Sequence, residues 1–106
     1  MATESFQVIN YQYSQYSSRT AYRTSLVLRA GLKTCAIIFI DDPNAALPAA
    51  KKVGNNYFEF YFHQHQFPHL IDMVRHENPI YVHYSDSVNN NSRISTSNEP
   101  IGEEES

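Results

Sequence analysis

The sequence predicts an α+β fold: a mostly antiparallel sheet of four to six strands, with one amphipathic helix at about residues 67–77 packed on one face, as a two-layer sandwich. Three observations predict it. Tyr57 to His63 is a run of aromatic residues, and bulky aromatics suit a packed, pleated surface. Phe67, Leu70, Ile71 and Val74 recur at the spacing of one helical face. Ile80 to Tyr84 then alternates again, which is the period of a strand.

Taken in order, Phe6 to Tyr16 predicts the first strand. Phe6 and Val8 share one face, while Ile9, Tyr11 and Tyr13 follow the opposite parity, so a bulge or bend is expected near Asn10. Ser14 to Arg19 is polar and reads as a loop. Tyr22 to Arg29 predicts the second strand, with Tyr22, Leu26 and Leu28 inward and Arg23, Val27 and Arg29 outward. Ala30 to Lys33 is a hairpin turn in which Gly31 supplies a positive φ. Thr34 to Ile40 predicts the third strand, antiparallel to its predecessors. Its apolar run from Ala36 to Ile40 fits a central strand covered on both faces.

Asp41-Asp42-Pro43-Asn44 stops that strand with turn-forming residues. Ala45 to Val53, interrupted by Pro48, reads as a loop. In the aromatic strand, Phe58, Phe60 and Phe62 share a core face, and Tyr57, Glu59, Tyr61 and His63 share the other. Pro68 suits the first turn of a helix, and Asn78-Pro79 ends it. Ile80, Val82 and Tyr84 are expected under the helix, with Tyr81 and His83 on the opposite face. Residues 85–92 are rich in Ser and Asn and read as a loop tip around Asn89 to Asn91. Arg93 to Thr96 predicts a short edge strand.

The 106 residues are expected to form one domain, 1–98, followed by an acidic tail, 99–106. The net charge is −3, and Glu99, Glu103, Glu104 and Glu105 account for more than all of it. Without those four charges, residues 1–98 stand at +1. From Phe6 to Phe39 there is no acid, while Arg19, Arg23, Arg29 and Lys33 lie there. The tail either stays solvated or docks on this basic region. The chain lacks an apolar run of about 18 residues, so no membrane association is expected. The first residues lack the basic and apolar regions of a leader. The one cysteine, Cys35, allows no internal disulfide. These features point to a cytoplasmic protein.

Three kinds of chemistry suggest themselves. His63 and His65, in HxH spacing, put two imidazoles on one side of an extended strand. With His69, or with His83 from a neighbouring strand, they make a zinc set or the site of a small enzyme. No second cysteine and no HExxH motif supports the metal. Surface histidines at a strand–helix junction are the plainer reading. Cys35 reads as a small core or interface residue, since no activating partner is apparent. With Gly31, Gly54 and Gly102 as the only glycines, the chain has neither a GxSxG elbow nor a phosphate-cradling loop. Glu59 and His63 share a strand face but stand roughly 13 Å apart.

The second possibility is a platform for single-stranded nucleic acid. Tyr57, Tyr61, Tyr81, His83, Arg23 and Arg29 supply rings for stacking and cations for phosphates. The body charge of +1 is low for that task, and no RNP pattern is present.

The third is binding or assembly without chemistry. One short helix covers one face of a sheet. The other is expected to show Arg23, Val27, Arg29, Cys35, Ile37, Phe39, Tyr57, Tyr61, Tyr81 and His83, a patch unusual for a monomer. A symmetric homo-oligomer centred on Ile37, Phe39 and Tyr61 is the expectation, with a protein partner or ligand not specified by the residues. No cofactor is expected outside the zinc reading.

Overall fold

The computed structural model describes residues 3–18, 22–86 and 91–96. The acidic tail 99–106, Arg19, Asn89, Asn90 and the side chain of Tyr22 fall outside the described residues.

The fold is α+β, and the described residues form eight strands in two sheets and a single α-helix. The strands are β1 (Thr3–Gln7), β2 (Asn10–Gln15), β3 (Tyr22–Ala30), β4 (Lys33–Ile40), β5 (Lys51–Lys52), β6 (Tyr57–His63), β7 (Ile80–Ser85) and β8 (Arg93–Thr96). A 3-10 turn, Gln64–Gln66, leads into α1 (Phe67–His76). The larger sheet has five strands in the order β2-β3-β4-β6-β5, and the smaller has three in the order β1-β7-β8. Every pair is antiparallel except β4 with β6.

The expected single sheet is thus divided. The meander β2-β3-β4 and the aromatic strand β6 form the larger sheet. The first strand splits at the expected bend, so β1 joins β7 and β8 in the other layer. The strands on either side of the helix, β6 and β7, lie in different sheets and form no crossover. Lys51 and Lys52, within the expected loop, add a short edge to β6.

The core lies between the layers. Leu26, Leu28, Cys35, Ile37, Phe39, Phe58 and Phe60 line the inner face of the larger sheet, and Ile80, Val82, Tyr84 and Ile94 line the smaller. Aromatic contacts show what covers each end. Phe58 lies 5.9 Å from Phe6 and 5.2 Å from Tyr84, both on the smaller sheet. Phe39 lies 5.2 Å, edge to face, from Phe67 at the start of α1. Such pairs contribute about 0.5–1.5 kcal/mol beyond their burial. The smaller sheet therefore covers one end of the inner face and the helix the other. Leu70 is the buried residue of the helix, with Ile71, Met73 and Val74 packed beside it.

Cys35, Ile37 and Phe39 do not belong to an open face. All three are fully buried. The reason is the second sheet, which supplies the cover that one ten-residue helix cannot. Gly31 holds the β3–β4 turn at φ 62°, as the hairpin requires. Among the described residues no helix is long and apolar enough to cross a membrane.

Candidate functional site

Both covering elements sit on one face of the five-stranded sheet, so its outer face is the candidate surface. Register builds that face in rows. One row runs Gln12, Val27, Ala36, Glu59 and Lys51 across all five strands. The next runs Ser14, Ser25, Ile38 and Tyr61. A third carries Asn10, Arg29, Thr34 and Tyr57. Val27, Ile38 and Tyr61 are half-buried, Ser25 and Ala36 in the same rows are buried, and Tyr57 is 40% exposed. No described helix or strand lies across them.

The polar groups on this face are paired with one another. The Tyr61 hydroxyl donates to Glu59 Oε1 at 2.8 Å, and Lys51 Nζ stands 3.7 Å from the same oxygen and 5.8 Å from the Tyr61 ring. Burial, and then the Glu59 contact, raises the Tyr61 pKa, so the phenol remains a donor. Arg29 Nη1 donates to Gln12 Oε1 at 3.3 Å. Arg23, at the bulge of β3, pairs with Asp41 at 3.2 Å. A carboxylate at the middle of the surface, with its nearest cation already engaged, is poorly suited to receiving phosphates.

The residues expected on one face are therefore divided among three places. Val27, Arg29, Tyr57 and Tyr61 share the outside of the larger sheet, with Arg23 at its margin. Ile37 and Phe39 are in the core. Tyr81 and His83 lie on the outside of the smaller sheet, since Ile80, Val82 and Tyr84 take the inward positions of β7. The stacking platform that needed Tyr57, Tyr61, Tyr81 and His83 together is not assembled.

His83 is held between strands. Its Nδ1 is 2.7 Å from Ser5 Oγ and its Nε2 is 2.8 Å from Ser95 Oγ. Burial, with the nearby positive charge of Arg93, lowers its pKa and favours the neutral ring. Ser5 precedes it by 78 residues, and no local pattern signals such a contact.

Of the expected zinc set, His63 and His65 do come together, with rings stacked at 5.4 Å. His63 Nε2 donates to the Ala45 carbonyl at 2.9 Å, which takes one of its two ligating nitrogens. His69 stands exposed on the helix. Among the described residues no three His, Cys, Asp or Glu side chains form a group that could hold a metal, so His63, His65 and His69 do not make the set the spacing suggests.

Other juxtapositions carry no reactive constellation. Glu4 on β1 accepts from both Lys33 and Lys52, bridging the two sheets over Phe6 and Phe58. A cleft beside β6 is lined by Leu47, Pro48, Ala50, Tyr61, Gln66 and Ser92, among others. It opens to solvent, and its lining carries no acid or base to activate the Ser92 hydroxyl. Burial raises the pKa of the Cys35 thiol far above its usual range, which keeps it protonated and unreactive. Comparison with known proteins finds no matching family, no similar characterised protein and no similar solved structure.

Proposed function

We propose that this chain is a small non-catalytic binding or assembly protein that works as a symmetric homo-oligomer in a cytoplasmic setting, with the five-stranded sheet as its contact surface. One observation carries the reading: the helix and the smaller sheet both cover the same face of the five-stranded sheet. The opposite side keeps a half-buried strip of Val27, Ile38 and Tyr61 with no described helix or strand laid over it. A two-fold arrangement covers such a surface with a second copy of itself. Tyr and Arg, present here as Tyr57, Tyr61 and Arg29, are favoured at protein contacts. The site chemistry points the same way, because its acid, hydroxyl and amine satisfy each other on an open surface instead of converging on a cavity.

Sedimentation equilibrium of the full chain tests the reading. An integral multiple of 12.2 kDa at tens of micromolar is the expected result. A mass of 12.2 kDa throughout the accessible concentration range refutes it.

A further inference from the structure

We infer that the outer edge of β2 pairs antiparallel with β2 of a second copy, joining two five-stranded sheets across a two-fold axis. The inference rests on the homo-oligomer reading above and moves its two-fold contact to the edge of the same sheet, beside the strip of Val27, Ile38 and Tyr61 and not over it.

An exposed strand edge is a template for another strand, and natural sheets blunt their edges with charge, shortness, bulges or inward-pointing charged residues. Of the four edges that the described strands leave, three use such devices. β5 is two residues long and both are lysines. β8 is four residues long and begins with Arg93. β1 turns the charged Glu4 inward onto Lys33 and Lys52. β2 uses none of them. It runs six residues, Asn10 to Gln15, all exposed but Ser14. Its register with β3 is unbroken from Asn10 to Gln15, and the bend at Ile9 lies before it. From Ile9 to Ser18 there is no charge, no proline and no glycine.

The backbone is oriented for pairing. Tyr16 N–H donates to the Arg23 carbonyl at 2.7 Å, in line with the β2–β3 register. Alternation along an antiparallel ladder then turns the groups of Asn10, Gln12 and Ser14 toward β3. Those of Tyr11, Tyr13 and Gln15 point outward, beyond the last strand of the sheet.

The occupant follows from this strand's own chemistry. Under a two-fold axis each residue faces a residue of the same strand, so any charge meets its like. An uncharged strand escapes that penalty. Of the registers that match outward-facing residues with each other, two keep most of the strand paired. Centred on Gln12, Tyr11 faces the second copy's Tyr13. Centred on Tyr13, Tyr13 faces its own counterpart and Tyr11 faces Gln15. Tyr11 and Tyr13 are 37% and 49% exposed, and the Tyr13 ring already lies 5.8 Å from Phe67. A second pair of tyrosines extends that aromatic row. A charged foreign strand finds no complement here. Pairing consumes this edge on both copies, and the defended edges stop growth at two.

The test uses Gln12→Glu/Ser14→Glu in the full chain. In either register an introduced carboxylate faces an introduced carboxylate, while position 12 keeps Arg29 beside it. In sedimentation equilibrium the wild type is expected at twice 12.2 kDa and the variant at 12.2 kDa, with association weakened about hundredfold or more. Circular dichroism establishes that the variant is folded. Amide exchange on the wild type needs no variant: protection of Tyr11, Tyr13 and Gln15 is expected to rise with concentration, and that of Gln12 to change less. A folded variant that stays dimeric, or outward amides indifferent to concentration in a dimer, overturns the β2 contact and leaves the homo-oligomer reading standing. A wild type at 12.2 kDa at every concentration overturns both.

Discussion

Truncating Ile37 to alanine tests whether the second sheet closes the core. Ile37 is fully buried, between Leu26 on β3 and Phe60 on β6 in the strand register. The substitution removes three carbons, which at about 0.8 kcal/mol each is about 2.4 kcal/mol of lost transfer energy. A cavity adds to this, because β4 is paired on both sides and cannot move inward to refill the space. Buried isoleucine-to-alanine changes cost about 2–5 kcal/mol, and Ile37 belongs in the upper half of that range, at about 3–5 kcal/mol. Urea unfolding followed by circular dichroism measures it, with an unchanged slope marking a native-state effect. The mass of the folded variant should equal that of the wild type, since the side chain touches no second copy. A loss under about 0.5 kcal/mol, or a change in mass without a loss of stability, would place Ile37 at a surface and refute the two-sheet core.

Three further outcomes are expected. Leu70→Ala should cost about 2–4 kcal/mol in the same assay, because Leu70 is 7% exposed and seats the helix on the core. Acid titration of stability should separate Glu4→Gln from the wild type. The hydrogen bond from Lys52, then its charge and the contacts with Lys33, hold the Glu4 pKa below the ordinary value of 4.5. A depressed carboxylate contributes stability that is present above its unfolded pKa and is lost as pH falls through the folded one. The wild-type loss between about pH 5 and pH 3 should therefore be shallower in Glu4→Gln. Cys35 should resist a thiol reagent in the folded protein and label only at the rate of unfolding, since its side chain is fully buried and its thiol stays protonated.

What the sequence made legible was mostly local. The period of two in Tyr57 to His63 and Ile80 to Tyr84 identifies the inward residues Phe58, Phe60, Val82 and Tyr84, and all four are buried. The helix spacing finds Leu70, and the Gly31 turn is where the hairpin needs it. Pairings over long separations were not legible. Nothing in Thr3 to Gln7 specifies β7 as its neighbour rather than β3, and that choice decides whether Ile37 is open or enclosed. The apolar run Ala36 to Ile40 demands cover on both faces; the helix and the second sheet supply it on the face of Ile37 and Phe39, while Ile38 on the other stays half-buried, and the run does not name the source of its cover. The same limit explains the site. Tyr57 and Tyr61 share a face through their own alternation, whereas Tyr81 and His83 are placed elsewhere by the partners of β7.

The parity change near Asn10 links these facts. A strand that crosses from one layer to the layer facing it meets the core from the opposite side. Its inward residues must then shift by one position. Phe6 and Val8 pack on the core from the smaller sheet, and the Tyr13 ring leans on Phe67 from the larger one. The crossing occupies two adjacent residues: Val8 N–H donates to the Ile80 carbonyl of one sheet, and Ile9 N–H to the Arg29 carbonyl of the other, each at 2.8 Å. Bends of this kind make the corners of packed sheets. A chain entering a sheet from its neighbour arrives at the margin, where the interior places are already filled by β3, β4 and β6. The switch that closes the core over Ile37 thus also leaves β2 outermost, with one side of its backbone unpaired by any described strand. Closure of the monomer and the opening of an edge for a second copy arise from the same two residues.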